Sequence, residues 1–424
     1  MCKFIILSVF VGFIFKTADL QEVVSSDSSS SLSSNTENIG GEHCRISKQA
    51  SPQEKSVVCY FPNWTWDRSG LAKFTPENIN ASLCTHIIYA FASLDNSTLT
   101  IVPSKPQADI QNKLYELVTA LKDYGLKVLI GIGGWNNSAG NKWSRLLSNS
   151  TVRTDFISSV IAFLEKYNFD GLDMDYEYPG CPQGKRTEGL PTDKDNFNSL
   201  LAELKTTFDG KYLLTAATSC SKITIDRCYN MTELCRLVDW VNVMSYHYHS
   251  YRNGETGAKA PLYGTKSSWG VIDTVKYYID ELQCPSHKIV LGIPFYGHTY
   301  TMVDTSPAQF GVPVSGPGTV GTYTKSTGIQ TYYEICLLIK YGYSSGHSQV
   351  NGSYAWNGTQ FISYDGPIDI IRKSRLIMDY ELKGAMLWNL AYDDFNNTCG
   401  GGRYPLLTTL NQQLRFCNSS GVAC

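Results

Sequence analysis

Three carboxylic acids alternate with other side chains in the segment from residue 170 to 177, which reads DGLDMDYE. Alternate side chains of a β-strand point to the same face, so Asp173, Asp175 and Glu177 are expected to lie together. Carboxyl groups that share a space of low dielectric raise one another's pKa, and some of them keep their protons. An acid catalyst must be protonated near neutral pH. The pattern therefore predicts a site for acid–base catalysis.

Two other interpretations of this segment are open. On an exposed strand the three carboxylates would be no more than solvated charges, although the apolar residues around them disfavour exposure. A calcium or magnesium site would need several oxygen ligands, and a calcium loop would need glycine where Met174 or Tyr176 stands. We therefore expect neither a metal nor another cofactor.

The rest of the chain supplies elements that could position such a strand. Short apolar segments alternate with longer segments of helical periodicity, which is typical of repeated βα units around a parallel sheet. The predicted strands are 56–61, 86–91, 127–132, 171–175, 212–218, 240–245, 288–293 and 384–389. The predicted helices are 111–123, 152–167, 195–208, 271–282 and 368–382. Eight strands covered on both faces predict an α/β fold, the TIM (β/α)8 barrel, with the three carboxyls in its interior.

Residues 297–365 do not follow this alternation. They are rich in Gly, Ser, Thr, Tyr and Pro, and a structureless loop of that length is uncommon in a compact domain. We therefore predict a small α+β subdomain, inserted between the seventh strand and the last helix.

The amino-terminal residues predict export from the cell. Lys3 precedes an apolar run from 4 to 15, which is too short to span a membrane, and a Ser-rich tract follows. The predicted organisation is a signal peptide at 1–18, a spacer at 19–54 and a barrel domain at 55–424. The formal net charge of −2 gives no basic field for nucleic acid or anionic lipid. A secreted, extracellular protein without nucleic-acid or membrane partners is expected.

Cysteine usage fits an oxidising compartment. Of the 13 cysteines, Cys2 belongs to the expected signal peptide, which leaves an even number, 12. No CxxC pair supports zinc or thioredoxin-type chemistry, so disulfides are expected, and spacing alone leaves their pairing open. N-glycosylation sequons fit the same compartment and occur at Asn63, Asn80, Asn96, Asn136, Asn149, Asn230, Asn351, Asn357, Asn396 and Asn418.

At the DGLDMDYE segment the chain resembles the glycoside hydrolase family 18 chitinases, whose DGxDxDxE signature it matches at every specified position. Further landmarks similar to those of the family follow in order over residues 57–395. They are VCYFPNW at 58–64, YAF at 89–91, GIGGWN at 131–136, MSY at 244–246 and GAMLW at 384–388. The resemblance implies the inserted subdomain of chitotriosidase-like members, and the disulfides Cys59–Cys84 and Cys336–Cys399.

The resemblance also implies cleavage of β-1,4-linked N-acetylglucosamine polymers or oligomers by a retaining, substrate-assisted mechanism. In similar enzymes the N-acetyl oxygen of the substrate attacks the anomeric carbon. Glu177 is expected to protonate the leaving oxygen and later to deprotonate water. Asp175 would orient the acetamide N–H, Asp173 would share a proton with Asp175, and Tyr246 would hold the acetamide oxygen.

The same resemblance assigns substrate-binding residues, with Trp388 under the distorted sugar. The expected set is Tyr60, Phe91, Gly133, Gly134, Trp135, Asn136, Tyr178, Met244, Ser245, His247, Tyr296 and Trp388. On position alone, an aromatic residue in a barrel strand is more often core than sugar platform. Asn63 and Asn136 belong to these landmarks, and we expect no glycan on them, because a glycan beside the cleft would obstruct substrate.

Two histidines depart from the family pattern. His247 and His298 stand where an aspartate and an arginine are usual. A cationic His247 ring would lower the pKa of Glu177 and weaken catalysis below about pH 6.5. Alternatively, the ring turns away and packs against His249 or Tyr248.

Two other functions are possible on this fold. A chitin-binding lectin would bind sugar without cleaving it, but such members usually replace the acid, which is present here as Glu177. An endo-β-N-acetylglucosaminidase acting on N-glycans shares the acid motif but not the other landmarks. We expect chitin or its oligosaccharides as the partner, and a monomer.

Overall fold

A computed structural model describes residues 54–185, 188–265, 268–305 and 307–416. The strands within these ranges are β1 (Ser56–Pro62), β2 (His86–Leu94), β3 (Ile101–Pro103), β4 (Lys127–Gly133), β5 (Gly171–Asp175), β6 (Leu213–Ser219), β7 (Trp240–Met244), β8 (Ile289–Pro294), β9 (Tyr296–Met302), β10 (Val314–Pro317), β11 (Ile329–Thr331), β12 (Ser344–Ser348), β13 (Gly352–Asn357), β14 (Gln360–Tyr364) and β15 (Gly384–Trp388). The α-helices are α1 (Leu114–Thr119), α2 (Gly134–Asn137), α3 (Lys142–Leu147), α4 (Ser150–Tyr167), α5 (Asp193–Phe208), α6 (Lys222–Cys228), α7 (Met231–Leu237), α8 (Val271–Lys276), α9 (Tyr332–Lys340), α10 (Pro367–Asp379) and α11 (Pro405–Asn411).

Eight parallel strands close into a barrel. Their order is β1, β15, β8, β7, β6, β5, β4 and β2, and the pairing of β1 with β2 completes the ring. Strand β3 pairs with the end of β2 in the antiparallel direction. All eight predicted barrel strands are present, with ends displaced by at most three residues. The prediction of a TIM barrel is confirmed.

The predicted helices are present, but some are shorter than expected. The segment 111–123 was expected to be one helix, whereas Lys113 has a φ of 57°, which an α-helix cannot contain. Only α1 and a following 3-10 turn remain of it. The segment 271–282 is divided between α8 and the π turn Tyr277–Glu281, and α10 ends at Asp379.

Strand β5 separates two buried layers. Leu172, Met174 and Tyr176 pack into the apolar layer between the barrel and its helices. Asp173 and Asp175 are also buried but face the barrel interior, because strand side chains alternate. Both directions agree with the sequence prediction.

The inserted subdomain is built around an antiparallel sheet. Its strand order is β10, β9, β14, β13, β12, and β11 also pairs with β9. The subdomain follows β8 directly, and the chain returns to the barrel through α10 and β15. Helix α9 begins at a capping box, in which Thr331 and Glu334 exchange hydrogen bonds.

Four disulfides occur among the described residues. Cys59–Cys84 and Cys336–Cys399 are the two expected pairs. Cys181–Cys228 and Cys235–Cys284 were not assigned from the sequence. Cys220 is buried and free, so an even number of cysteines does not mean that every one of them pairs.

Some sequence predictions fall outside the described residues. They are the signal peptide at 1–18, the spacer at 19–54 apart from its last residue, the sequon at Asn418, and the pairing of Cys44, Cys417 and Cys424. Within the described ranges, none of the helices combines the length and apolarity needed to cross a membrane.

Candidate active site

A cleft of about 930 Å³ opens at the carboxyl ends of the barrel strands. This end carries the active sites of TIM-barrel enzymes, since its loops can vary without disturbing the barrel. Asp175, Glu177 and Tyr246 reach the cleft. So do most of the expected substrate-binding residues, namely Tyr60, Phe91, Gly133, Gly134, Trp135, Asn136, Tyr178, Met244, His247, Tyr296 and Trp388.

Ser245 does not contribute to the cleft. Its side chain is fully buried, and its hydroxyl donates a hydrogen bond to the carbonyl oxygen of Gly292 on β8 at 2.7 Å. The structure therefore gives Ser245 a packing role in place of the expected contact with substrate. Neighbouring residues of an extended chain point in opposite directions, so the proximity of Ser245 to Tyr246 in sequence did not place both in the cleft.

Asp173 is the deepest of the three carboxyls and is fully buried. Its Oδ2 accepts a hydrogen bond from the Tyr60 hydroxyl at 2.8 Å. Its Oδ1 accepts from the Thr215 hydroxyl at 2.6 Å and from Nδ2 of Asn242 at 3.1 Å. Burial raises the pKa of Asp173, and these three hydrogen bonds oppose that shift.

Asp175 lies one step closer to the cleft. Burial, followed by the charges of Glu177 and Asp173, raises its pKa well above the ordinary value. Its Oδ1 is buried and has no hydrogen-bond partner among the described residues. A buried acceptor without a partner is costly and is typical of functional sites.

Glu177 follows β5 and is half-buried at the cleft. Its backbone N–H donates to the Ser138 hydroxyl oxygen at 2.9 Å, and that hydroxyl donates to the carbonyl oxygen of Gly134. Burial raises the pKa of Glu177 to about 7, against a weaker opposing hydrogen bond with Tyr178. Glu177 is therefore a carboxyl group that can both hold and release a proton near neutral pH.

Tyr246 and Tyr296 form one wall above the carboxyls. Their ring centroids are 6.2 Å apart, and both rings are buried. Burial is the main cause that raises the pKa of each phenol well above its usual value. Both hydroxyls therefore remain protonated hydrogen-bond donors across the physiological pH range.

His247 faces the open cleft but is walled by protein. Its Nε2 shares a hydrogen bond with the Tyr296 hydroxyl, and its ring centroid lies 4.8 Å from that of His298. Desolvation by the surrounding protein, then His298 and Lys259, lower the pKa of His247 well below the usual imidazole value, although the residue keeps an exposed surface in the cleft. The direction of this shift opposes the expectation that His247 becomes a cation below about pH 6.5. It packs on Tyr246, Tyr296 and His298, and not on His249 or Tyr248 as the alternative expected.

Aromatic rings line another side of the cleft. The ring centroid of Trp388 lies 5.2 Å from that of Tyr60 and 5.9 Å from that of Phe91. Trp64 joins this group at 6.2 Å from Phe91 and 6.0 Å from Trp388. Trp135 stands apart, and its side chain is 49% exposed. Flat apolar faces beside polar groups suit the binding of sugar rings.

Gly133 and Gly134 permit close packing around β5. Gly133 has a φ of 113°, and a Cβ there would lie 2.3 Å from the carbonyl oxygen of Asp175. A Cβ on Gly134, whose φ is 76°, would lie 2.6 Å from the Phe91 ring. Both positions therefore require glycine, and their role includes positioning Asp175 and Phe91.

Sequence analysis missed several residues of the site. Trp64 was quoted only as the end of a landmark, although its half-buried ring lines the cleft. Asn63 is buried, and its Nδ2 donates to Asp109 at 2.9 Å and to Ser104 at 3.0 Å. In the folded protein these hydrogen bonds engage the Asn63 amide. Ser138 gave no sequence signal of its hydrogen bond to Glu177.

The arrangement supports acid–base chemistry with side chains alone. Among the described residues, one group of potential metal ligands converges closely, Cys336, Asp394 and Cys399, and its two cysteines form a disulfide. In the cleft, Glu177 can donate and accept a proton, and the protonated Tyr246 hydroxyl can donate a hydrogen bond. Asp175 offers an acceptor next to both of them.

Comparison with known proteins agrees with this site. The family model of glycosyl hydrolases family 18 matches residues 56–393. "Probable chitinase 10" of Drosophila melanogaster is 43% identical over 365 residues, which are 84% of this chain and 16% of that protein. The chain thus spans less than a fifth of the length of that relative.

Two solved structures are similar over 85% of this chain. One is a mutant of catalytic domain 2 of the Ostrinia furnacalis Group II chitinase, in complex with the chitooligosaccharide (NAG)5; it is 41% identical and 97% covered, with a TM-score of 0.83. The other is human YKL-39, described as a pseudo-chitinase with retained chitooligosaccharide binding; it is 34% identical and 99% covered, with a TM-score of 0.77.

Proposed function

This chain belongs to the glycosyl hydrolases family 18, and we propose that it is a chitinase that hydrolyses β-1,4-linked N-acetylglucosamine chains with retention of configuration. One observation carries the proposal: Glu177 lies in the cleft with its pKa raised to about 7, next to Asp175. A carboxyl group protonated near neutral pH can act as a general acid. The complex of a relative with (NAG)5 supports a chitin oligosaccharide as substrate.

In the first step, the N-acetyl oxygen of the substrate attacks the anomeric carbon, and Glu177 gives its proton to the departing glycosidic oxygen. The bond to the leaving sugar breaks while a bond to the acetamide oxygen forms, which gives a cationic oxazolinium ring. Tyr246, whose pKa is raised well above neutral by burial, donates to the acetamide oxygen. Oδ1 of Asp175, unpartnered among the described residues, accepts the acetamide N–H.

In the second step, Glu177 is a carboxylate and removes a proton from water. The water attacks the anomeric carbon from the face that the leaving sugar vacated, and the oxazolinium ring opens. Two inversions at one carbon return the original β configuration. The negative charge shared by Asp173 and Asp175 stabilises the cationic ring between the two steps.

The aromatic group formed by Tyr60, Trp64, Phe91 and Trp388 binds the sugar faces on one side of Glu177. Trp135 offers a separate exposed ring. Because Trp388 contacts both Tyr60 and Phe91, its orientation is fixed before substrate arrives. This preorganised surface favours an extended chain of several sugar rings over a single sugar.

A chitin-binding lectin is the second candidate, because one relative is described as a pseudo-chitinase with retained chitooligosaccharide binding. The presence of Glu177, Asp175 and Asp173 in one cleft favours hydrolysis. A protein that only binds sugar has no need to keep three like-charged groups together, since their burial is costly.

We also propose that the protein is secreted as a monomer, with a signal peptide at 1–18, a spacer at 19–54 and a catalytic domain at 55–424 that includes the subdomain 297–365. The four disulfides support an oxidising compartment. Exposed sequon residues such as Asn80, Asn149 and Asn230 are accessible to glycosylation.

The test is early proton NMR of chitin oligosaccharides mixed with the purified protein, with an N-glycoprotein as control substrate. We expect cleavage in which the β-anomer forms first. An initial α-anomer would contradict the retaining route. Binding of oligosaccharide without cleavage at any pH would favour the lectin, and cleavage of the N-glycoprotein alone would indicate an endo-β-N-acetylglucosaminidase.

A further inference from the structure

The side chains of Trp240 and Asn242, on β7, lie beneath the catalytic carboxyls. Trp240 and Asn242 are two residues apart on one strand, so both face the barrel interior. They are 2% and 0% exposed. Nε1 of Trp240 lies 3.0 Å from Oδ1 of Asn242. Because an indole N–H can only donate, this contact fixes which end of the Asn242 amide carries the oxygen.

The fixed amide directs its nitrogen towards the carboxyl layer. Nδ2 of Asn242 lies 3.1 Å from Oδ1 of Asp173 and 3.5 Å from the Tyr60 hydroxyl. The amide nitrogen only donates, so the Tyr60 oxygen is the acceptor of that longer contact. The hydrogen of Tyr60 then points to Oδ2 of Asp173, which is 2.8 Å away.

Each oxygen of Asp173 therefore receives a donor whose direction is set by the indole of Trp240. A carboxylate ion can only accept hydrogen bonds, and donors on both oxygens favour the ionised form. Asp175 has no comparable donors, since its Oδ1 lacks a partner among the described residues. The hydrogen bonds therefore stabilise the ionised form of Asp173 more than that of Asp175.

We propose that Trp240 and Asn242 form a positioning pair that keeps Asp173 ionised before substrate binds. Burial raises the pKa of Asp173, but the hydrogen bonds from Thr215, Tyr60 and Asn242 oppose that rise, whereas burial and the charges of Glu177 and Asp173 all raise the pKa of Asp175. The inference rests on the proposed hydrolysis, in which the charge of Asp173 balances the cationic intermediate.

The test compares the pH dependence of kcat/KM in wild type, Asn242→Leu and Trp240→Phe. Loss of a donor raises the pKa of Asp173, so the acid limb moves to higher pH. We expect a shift of about one pH unit for Asn242→Leu, the size of one lost hydrogen bond to a charged group. Trp240→Phe, which releases the amide but keeps the ring, shifts the limb less and in the same direction. The basic limb, set by Glu177, stays in place in both variants.

Trp143→Phe is the matched control. It removes another buried indole N–H, which donates to the carbonyl oxygen of Asn137 at 3.1 Å, outside the network of Asp173. We expect no movement of the acid limb in this variant. Equal loss of activity at every pH in Asn242→Leu and Trp240→Phe would show a structural role only and would overturn the proposal.

Neutron diffraction of the wild-type protein tests the proton directly and does not depend on how the variants fold. Absence of deuterium from both oxygens of Asp173 supports the proposal, and deuterium on Asp173 overturns it. A wild-type protein that binds chitin oligosaccharides without cleaving them would refute the proposed hydrolysis. The neutron measurement would still decide where the proton lies.

Discussion

Two buried groups of ionisable side chains in this protein differ in the signs of the charges that they bring together. Asp365 and Lys373, where the inserted subdomain meets α10, form an ion pair that is almost fully removed from solvent. Asp173, Asp175 and Glu177 lie in or at the barrel interior, and no Lys or Arg of the described chain forms an ion pair with them. Opposite charges meet in the first group, and like charges meet in the second.

The difference shows what each group is for. Even with Lys373 beside it, burial raises the pKa of Asp365 to about 6, because the loss of water outweighs the attraction. The carboxyl stack has no such opposite charge, so the pKa of Glu177 rises to about 7 and that of Asp175 rises well above its ordinary value. The ion pair serves the junction of two parts of the fold. The carboxyl stack reduces stability and provides a proton donor.

Removal of the acid has the largest expected effect. Glu177→Gln keeps the shape of the side chain but cannot donate a proton, so kcat on chitin oligosaccharides should fall by about 10²–10⁴-fold. Oligosaccharide binding should persist. Glu165→Gln, on an exposed side chain paired with Lys211, is the control and should leave kcat unchanged. Turnover near the wild-type rate in Glu177→Gln would show that another group is the acid.

Glu177→Gln should also make the protein more stable at alkaline pH, although it removes activity. The pKa of Glu177 rises from 4.5 to about 7 on folding, so its contribution to stability is full below 4.5 and is lost as pH rises through 7. Glutamine does not titrate. We expect Glu177→Gln to be more stable than wild type by about 1–3 kcal/mol at pH 8 and equal to it near pH 4. Denaturant unfolding at both pH values checks this sign.

Breaking the ion pair of Asp365 and Lys373 should change the free energy of unfolding by a similar amount and leave activity unaffected. Lys373→Met leaves Asp365 buried without its partner, and we expect the free energy of unfolding to fall by about 3–5 kcal/mol. The double variant Lys373→Met with Asp365→Leu removes both charges and should recover most of that loss. A double variant no more stable than the single one would mean that packing, and not the unpaired charge, causes the effect.

The carboxyl stack should also determine how kcat/KM of the wild-type protein depends on pH, with a smaller expected effect. Glu177 must be protonated to act, and its pKa is about 7. Above that pH, kcat/KM should fall by about tenfold per unit. A basic limb that began only near the pKa of a lysine would show that a different group donates the proton.

His247 should give the smallest effect. The pKa of its ring lies well below the usual imidazole value, so His247→Gln should move neither limb of the pH profile. The lost contact with Tyr296 should raise KM by about two- to tenfold. A gain of activity on the acid side would restore the idea that His247 is a cation near Glu177.

Much of the barrel could be predicted from the sequence, because the signals are local. Buried strands such as β4 and β5 consist of consecutive residues whose polarity reports both faces of the strand. The alternation of Leu172, Asp173 and Met174 already separates the helix layer from the interior. The DGLDMDYE motif predicted the positions of the carboxyls because all three belong to one strand and the residues that follow it.

Tertiary structure alone decided which distant residues act on those carboxyls. Asn242 reaches Asp173 across 69 residues of chain, and Tyr60 reaches it across 113. Trp64 lines the cleft, whereas Ser245 points away from it. The path of the backbone at each position decides this, and the type of residue does not predict it. The lowered pKa of His247 depends on desolvation by protein that surrounds it in space and on His298 and Lys259. A pKa is set by everything within a few ångströms in space, and the closing of the barrel determines what those neighbours are.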